Sequence, residues 1–319
     1  MSFSAIKGQD KPIEILKTYL ENSSLEGGYL FVGPEGIGKK MAALALAKSL
    51  NCLDARIDSC GHCASCLKIN NNQHPDVHLV LSEEPKLKID AIRQLQKDIN
   101  LKAYEGIFKV FIIDNAHNLT AEASNSLLKI LEEPPKKSLI ILISDKPNLL
   151  FKTVISRCKI LKFLPLKRGL LEDILRKDYK LDKTLAHFLA YFSDGSFGRA
   201  LKLMDEDIIA KRNDLIDNFV LAARPNIDSL ALSSRVDVRN SLNLLVTWFR
   251  DIYLLKLGLA EREVINSDRS PELTQGARRL SFSDLDMIFA NISTAMSYLE
   301  KNVNMRLLMY NLGMELWKV

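Results

Sequence analysis

Four of the five cysteines lie within fifteen positions, with the spacing C-x7-C-x2-C-x2-C. They are Cys52, Cys60, Cys63 and Cys66. Four thiolates with this spacing can surround one tetrahedral Zn²⁺ and leave no open position, which predicts a structural ion. Free thiols are the alternative, but clustering in a reducing compartment favours a metal over disulfides. His62 and His74 lie nearby and are assigned to loops, because the four sulfurs already complete the shell.

A second motif, GPEGIGKK, follows the apolar run YLFV and precedes an Ala- and Leu-rich stretch. It fits the phosphate-loop pattern G-x-x-x-x-G-K, with Gly33, Gly38 and Lys39 in the defining positions. The glycines allow backbone N–H groups to face a phosphate at a helix N-terminus, where the helix dipole also favours an anion. A plain glycine-rich turn is the alternative. The strand, loop and helix context favours the phosphate loop.

Two positions near this loop lack the groups that ATP hydrolysis requires. The residue after the loop lysine normally gives a Ser or Thr hydroxyl to Mg²⁺, but here it is Lys40, which cannot coordinate a cation. The run KVFIID ends in Asp114, as a Walker B strand does, yet Asn115 follows, and an amide is no general base. Asp114 equally fits a carboxylate that caps a turn. We therefore predict that ATP and Mg²⁺ do not bind productively.

The chain as a whole sets broader limits. With 319 residues, 47% of them hydrophobic, it is expected to form two or three domains. Its 44 Lys and Arg against 39 Asp and Glu give a net charge of +5, which does not by itself indicate nucleic-acid binding. The sequence contains no apolar run long enough for a membrane span and no signal-peptide pattern. We expect a soluble, cytoplasmic protein without membrane partners.

Short β-branched runs alternate with helical stretches from Gly28 to about residue 163, which predicts a parallel sheet covered by crossover helices. Strands are predicted at 29–32, 77–81, 109–114, 139–144 and 159–163. Helices are predicted at 39–50 and 120–131, the second of which is ended by Pro134 and Pro135. The expected class is an α/β nucleotide-binding fold.

The later part of the chain has only helical patterns. We predict an α/β domain at 1–165 with the metal insertion at about 52–66, a helical lid at 166–222 and an all-helical domain at 223–319. The segment 223–229 is expected to be a turn or linker. An apolar stripe comprises Leu244, Leu245, Trp248 and Phe249. Such stripes are more often internal core than interface, so these residues are not assigned to an interface.

Several further segments match a known family. They include IKGQDKPIEILKTYL, the HPD of residues 74–76, KIDAIRQL, VFIIDNAHNLTAEASNSLLKILEEPP, VISRC and GSFGRAL. With the phosphate loop and the four cysteines after its helix, they resemble the bacterial clamp-loader AAA+ subunits of DNA polymerase III. The resemblance covers about the first 205 residues well. Lys40, Asn115 and the chain length point to the delta-prime branch over the gamma/tau branch.

The resemblance implies a structural role in DNA replication. Delta-prime subunits form one end of a pentameric spiral with gamma/tau and delta, and the spiral loads the sliding clamp onto primed DNA. The all-helical domain at 223–319 would be the oligomerising collar. The chain would be part of a DNA-directed DNA polymerase holoenzyme, with nucleotidyltransferase activity only at the level of the complex.

The resemblance also assigns roles to single residues. Arg157, in Ser156-Arg157-Cys158, is implied to reach the ATP of a neighbouring subunit, although pairing with a local carboxylate is the plain alternative. Arg199 matches a degenerate sensor position, and a salt bridge or solvated helix position explains it more simply. Ser144 matches a polar sensor and equally fits a serine that caps the next turn.

Two rival hypotheses belong to other functional classes. An active gamma/tau-like ATPase would use Gly33, Gly38, Lys39 and Asp114, but it would need a hydroxyl at residue 40. A stand-alone DNA-binding zinc protein would use the cysteine loop as its reader. That loop, GHCASC, lacks the adjacent cations and interleaved aromatic residues that bind phosphates and bases.

Overall fold

The computed structural model describes residues 2–22, 24–54, 57–81, 87, 89–222, 234–260, 263–301 and 303–317. The chain divides into two compact units. The first comprises Met1–Leu170 and Gly195–Arg199, and the second comprises Leu171–Asp194 and Ala200–Val319. The predicted linker at 223–229 lies outside the described residues. The finer division at residues 165 and 222 stays a prediction.

A parallel sheet forms the centre of the first unit. Its strands are β1 (Gly27–Val32), β2 (Val77–Val80), β3 (Lys109–Ile113), β4 (Ser138–Ser144) and β5 (Cys158–Lys162). They pair in the order β2-β3-β4-β1-β5, and every pair is parallel. All five predicted strands are confirmed, and the largest shift is at β1, which begins at Gly27.

Helices cover both faces of this sheet, except that the third one packs against the second. They are α1 (Asp10–Glu21), α2 (Lys39–Asn51), α3 (Ala64–Asn70), α4 (Ile89–Ile99), α5 (Ala121–Glu132) and α6 (Lys152–Ile155). The predicted helices at 39–50 and 120–131 are confirmed as α2 and α5. Thr120 caps α5, because its hydroxyl oxygen accepts from the Ala123 N–H at 3.2 Å.

The central strands are apolar on both sides, because each side packs against helices. Every residue of β1, β3 and β4 is buried. Tyr29 and Phe31 pack into the core cluster that includes residues of α1 and α2, whereas Leu30 and Val32 pack into the cluster with α4 and α5. Alternation of side chains across a strand produces this division.

The rest of the described chain contains only helices and turns. The helices are α7 (Arg168–Asp178), α8 (Lys183–Phe192), α9 (Phe197–Asp205), α10 (Ile208–Leu215), α11 (Arg235–Lys256), α12 (Ser270–Arg279), α13 (Phe282–Leu299) and α14 (Met305–Trp317). Capping boxes begin α11 at Ser234 and α13 at Ser281. None of the helices among the described residues has the length and apolar character needed to cross a membrane.

A buried polar network joins the helices of the second unit. The Arg212 guanidinium of α10 donates to Asp268 at 2.9 Å and lies 4.9 Å from the centre of the Phe188 ring in α8. Asp251 of α11 is fully buried and accepts from the Asn266 N–H at 2.7 Å. Buried charges are stable only when they are paired. These contacts therefore fix α8 and α10 to the region around α11.

The HPD segment has a structural role in the first unit. Asp76, directly before β2, is buried, and its carboxylate accepts from the backbone N–H groups of Tyr104, Glu105 and Gly106 at 2.8 to 2.9 Å. Burial alone would raise the pKa of Asp76, but the three N–H donors and the nearby Lys109 bring it below its usual value. The carboxylate thus holds the loop that leads into β3.

We expect Asp76→Asn to destabilise the first unit by about 1 to 3 kcal/mol, because an amide has one acceptor oxygen and leaves a backbone N–H unpaired. A lowered carboxyl pKa stabilises the fold above the unfolded pKa of about 3.9, and that contribution is lost as pH falls through the folded pKa. Urea unfolding at a series of pH values from 3 to 7, in steps of about one unit, measures both effects. Exposed Asp173→Asn is the control. A variant with the wild-type stability and acid dependence would contradict this role.

Candidate functional site

The phosphate-loop motif forms the turn between β1 and α2 at the carboxyl edge of the sheet. Gly36 and Gly38 have positive φ angles of 75° and 98°, which favour glycine. Gly33 has φ of 150°, and a Cβ there would lie 2.3 Å from the Phe163 carbonyl oxygen. The Gly33 N–H donates to the Ser144 carbonyl at 3.2 Å, which fixes the loop to β4. The predicted loop is therefore present as a strand, turn and helix.

Lys39 lies folded within the loop. Its ammonium group donates to the carbonyl oxygens of Gly33 at 2.6 Å and Pro34 at 2.5 Å, and the residue is buried. Burial lowers the pKa of Lys39, and the carboxylates of Asp145 and Asp114 act in the opposite direction. The loop lysine thus has partners from the loop itself.

Lys40 reaches the carboxylate at the end of β3. Its ammonium nitrogen lies 3.5 Å from Asp114 Oδ2. Asp114 also accepts from the Asn115 N–H at 3.0 Å, so the two contacts place it both in a turn and beside a cation. In a phosphate loop that binds Mg²⁺, this region holds the metal and its hydroxyl ligand. Here an ammonium group faces the acidic residue instead.

Asn115, Ser144 and a histidine that sequence reasoning missed lie at the same edge. Asn115 has φ of 52°, a left-handed conformation that asparagine tolerates better than most residues. The Ser144 hydroxyl accepts from the Lys146 N–H at 3.1 Å and lies 3.3 Å from His117 Nδ1. His117 Nδ1 also lies 3.2 Å from the Asp145 carboxylate. The only signal for His117 was its position three residues after Asp114.

The segment that contains Arg199 packs directly on the loop. The Ser196 hydroxyl donates to the Glu35 carbonyl at 2.7 Å, and the Gly198 N–H donates to the Gly36 carbonyl at 2.8 Å. A Cβ on Gly36 would lie 2.5 Å from Ser196 Oγ and 3.0 Å from the Arg199 nitrogen. The loop backbone is therefore covered by this segment. The sensor role of Arg199 stays a prediction.

The four predicted cysteines lie together next to α2 and α3. Their sulfur atoms are all within 4.8 Å of one another, and Cys52–Cys63 and Cys60–Cys66 are each separated by 4.0 Å. Four sulfurs about 2.3 Å from a tetrahedral zinc ion lie about 3.8 Å apart, so the cluster fits one metal ion. The end of α2 at Cys52 and the start of α3 at Cys63 bring the sulfurs together.

Backbone donors favour the thiolate form of Cys63, whereas burial raises the pKa of the Cys60 and Cys66 thiols. The Cys66 N–H lies 3.5 Å from the Cys63 sulfur. Burial would raise the pKa of Cys63, but the N–H groups of Cys66 and Leu53 bring it down to about 7. His62 and Asp54 border the cluster at Cys60, whereas His74 is buried and accepts through Nδ1 from the Asp76 N–H. The structure thus brings four thiols together without His74.

Arg157 lies directly before β5, at the opposite edge of the sheet from the loop. Its Nε donates to Glu132 at 2.7 Å and its Nη1 to the Thr153 carbonyl at 3.0 Å. The side chains of Arg157 and Glu132 are 34% and 49% exposed. Arg157 therefore pairs with a local carboxylate, that of Glu132, as the alternative interpretation of this residue expects. Its guanidinium remains partly accessible.

Comparison with known proteins adds family membership. Residues 8–167 match the family model described as DNA polymerase III, delta subunit, and residues 206–316 match the model of its C-terminal part. The DNA polymerase III subunit delta' of Bacillus subtilis is 31% identical over 95% of this chain and 94% of its own length. The chain belongs to the DNA polymerase III delta-prime subunit family. The predicted resemblance to clamp-loader subunits is thereby confirmed.

Part of this chain is also similar to the gamma/tau subunits. DNA polymerase III subunit tau of Bacillus subtilis is 32% identical over 65% of this chain, which corresponds to 38% of tau. A gamma subunit-related protein of Thermotoga maritima, of known structure, is 18% identical and has a TM-score of 0.49, with 96% of this chain and 99% of that one covered. The structure itself confirms the predicted parallel α/β sheet and the all-helical C-terminal region.

The second unit has a buried apolar stripe, on α11, and an exposed apolar stripe, on α14. The stripe of Leu244, Leu245, Trp248 and Phe249 in α11 is buried, which confirms that it is internal core. Sequence reasoning missed a different apolar stripe on α14. Its members are exposed and lie three and four residues apart: Leu307, Tyr310 and Met314. Their spacing within KNVNMRLLMYNLGMEL was the only signal in the sequence. It did not show which face of α14 packs inward, so it could not identify them as exposed.

We expect Gly36→Ala to destabilise the first unit by about 2 to 4 kcal/mol, because it adds a steric clash to the cost of a positive φ. Gly61→Ala is a matched control, since Gly61 has φ of 79° and no heavy atom within 4 Å of its Cβ position. It should cost only about 1 kcal/mol. Urea midpoints measure both. Equal losses would show that Ser196–Arg199 does not pack on the loop in solution.

Proposed function

We propose that this member of the delta-prime family is a non-hydrolysing structural subunit of the DNA polymerase III clamp loader. It would complete the ATP site of a neighbouring subunit with Arg157. The contact between Lys40 and Asp114, 3.5 Å long, carries this proposal, because it sets an ammonium group against the carboxylate expected to bind Mg²⁺. The proposal includes a cytoplasmic location.

Electrostatics argues against Mg²⁺ at this site. A divalent ion near Asp114 would be repelled by the ammonium group of Lys40, which has no oxygen with which to coordinate it. Asn115 cannot take a proton from water, because an amide is not basic at neutral pH. The loop and its helix would then serve as structure, and the packing of Gly198 on Gly36 supports that use.

Arg157 is suited to act outside its own chain. It lies at the edge of the sheet opposite Lys39, so the same subunit's phosphate loop is not its target. Its pair with Glu132 is solvent-exposed, and such pairs contribute only about 0 to 1 kcal/mol. A bidentate contact between a guanidinium and phosphate oxygens is stronger and shorter. Arg157 can therefore leave Glu132 and bind the nucleotide of a neighbouring subunit.

The second unit would serve assembly. The exposed stripe of Leu307, Tyr310 and Met314 on α14 offers an apolar surface of the kind that marks protein interfaces. The partners would be gamma/tau and delta subunits, and the complete loader would act on the sliding clamp and primed DNA. The rival gamma/tau-like ATPase retains support from Gly33, Gly38 and Lys39, so the experiment below tests it directly.

The metal would be a structural Zn²⁺. Four thiolates in a tetrahedron suit zinc and leave no position for water or substrate. Cys52, Cys60, Cys63 and Cys66 would hold it, and the ion would link the end of α2 to α3. Its contribution is folding energy, because the same four groups are far apart and hydrated in the unfolded chain.

We expect about one equivalent of zinc per chain and its loss in Cys66→Ser, because a hydroxyl is a poor ligand in a four-sulfur shell. Cys158→Ser makes the same exchange outside the cluster and should retain the metal. Elemental analysis of protein purified without chelator measures both. Less than about half an equivalent in the unaltered chain would exclude the site.

In the reconstituted loader, Arg157→Ala should slow ATP hydrolysis at the neighbouring site by roughly 10³-fold or more, because a guanidinium supplied in trans stabilises the transition-state charge. The total rate of ATP hydrolysis by the loader then falls by the fraction that this one site contributes, while zinc content and assembly stay unchanged. Single-turnover hydrolysis with clamp and primed DNA measures this effect.

Two matched variants separate the explanations. Lys39→Ala should leave the rate unchanged, because the chain's own site does not hydrolyse ATP, and a fall would favour the gamma/tau-like alternative. Glu132→Gln frees Arg157 without removing it and should preserve the rate. A wild-type rate in Arg157→Ala would exclude the trans arginine, and loss of assembly in that variant would assign Arg157 to the interface alone.

A further inference from the structure

A cleft of about 270 Å³ opens at the amino edge of the sheet. It is formed by the end of α4 and the loop after it, the start of β3, and the turn before β4. Its cationic lining residues are Lys102, Lys109, Lys136 and Lys137. None of the described residues that line it is Asp or Glu. Since the whole chain has 44 Lys and Arg against 39 Asp and Glu, the cleft is a local concentration of positive charge.

One of these lysines is buried and hydrogen-bonded to the backbone. Lys109, the first residue of β3, is only 7% exposed, and its ammonium group donates to the Asp98 carbonyl at 2.7 Å. The other three lysines are exposed. A buried ammonium is costly to desolvate, and the Lys109 ammonium group lies beside one carbonyl oxygen and within electrostatic reach of Asp76. The cleft therefore has one buried, hydrogen-bonded cation in addition to three exposed ones.

The turn before β4 holds a second lysine in an uncommon conformation. Lys137 has φ of 56°, a region that favours glycine or asparagine. The Ser138 N–H donates to the Pro135 carbonyl at 3.1 Å, and the Lys137 carbonyl accepts from the Lys109 N–H at 2.9 Å. These bonds hold the strained backbone in place. Strain of this kind persists where surrounding structure enforces it, and it is found at binding sites.

Apolar side chains form the rest of the cleft. Ile99, Leu101, Ile107 and Pro135 line it, and Leu101 and Ile107 are 63% and 50% exposed. A nucleic-acid backbone would satisfy the lysines but leave these aliphatic groups in water. A nucleic-acid site would also place aromatic rings for stacking, and Tyr104, although exposed on the same loop, does not line the cleft. The lining combines cations with an aliphatic surface.

We propose that this cleft binds an acidic peptide segment with an aliphatic or aromatic side chain, supplied by a partner protein. The carboxylates would pair with Lys102, Lys136 and Lys137, and the apolar side chain would cover Leu101 and Ile107. The cleft joins β3 and β4, whereas Arg157 lies before β5 on the other side of β1. Peptide binding is thus separate from the proposed ATP-site role and does not depend on it.

The probe is a fluorescein-labelled, amidated peptide, Asp-Glu-Leu-Asp-Phe-Asp, titrated with the full chain by fluorescence anisotropy. Lys102→Ser, Lys136→Ser and Lys137→Ser combined should weaken binding at least about tenfold. The matched control removes three exposed lysines elsewhere in the first unit, Lys11→Ser, Lys162→Ser and Lys167→Ser, and should change affinity less than about twofold. Both triples change the net charge equally, so a difference reports the cleft.

Two further arms test the apolar contact and the nucleic-acid alternative. Ile107→Ser, which leaves the charge unchanged, should weaken the peptide about fivefold, and a peptide with Ser in place of Leu and Phe should bind correspondingly less. No binding up to roughly 1 mM peptide would overturn the proposal. Equal losses in both lysine triples would also overturn it, as would a (dT)₁₂ oligonucleotide that binds the cleft more tightly than the peptide.

Discussion

All five strands of the sheet are parallel, and this constraint separates the chemistry of the first unit into two edges. The loops after the strands meet at the carboxyl edge, where Lys39, Asp114 and Ser144 lie within one region. The residues before the strands meet at the amino edge, which presents Lys109 and Arg157. Because β1 and β5 are parallel neighbours, the phosphate loop after β1 and Arg157 before β5 lie on adjacent strands but at opposite edges of the sheet. The phosphate-loop backbone and the Arg157 guanidinium therefore face opposite sides of the same sheet.

The carboxyl edge combines the backbone of a phosphate loop with a lysine contact at Asp114. Lys40 lies 3.5 Å from Asp114, so a monovalent ammonium group faces the acidic residue on which a metal would otherwise depend. The loop keeps its glycines, and its backbone is bonded to β4 and to the Ser196–Arg199 segment. These hydrogen bonds fix the geometry of the loop, because they tie it to its surroundings at several points.

Two local arrangements of side chains outside the sheet, at Asp76 and at the four cysteines, hold segments that are not part of a strand. Asp76 binds three consecutive N–H groups of the loop before β3, and the cysteine cluster joins the end of α2 to α3. Each replaces regular secondary structure in a stretch that would otherwise have unpaired backbone groups. The loop that Asp76 fixes also continues into the lysine-lined cleft, so its position and that of Lys109 are coupled.

The sequence by itself determined the strands, α2, α5, the phosphate-loop motif and the four cysteines. These follow from local periodicity and from spacings that a few residues define. It did not determine that Lys40 reaches Asp114, that Arg157 pairs with Glu132, or that α14 turns Leu307 and Tyr310 outward. It also gave no sign that Lys102, Lys109, Lys136 and Lys137 share a cleft. Tertiary structure decided these, because each joins residues distant in sequence or depends on which face of a helix finds a partner, and neither leaves a local pattern.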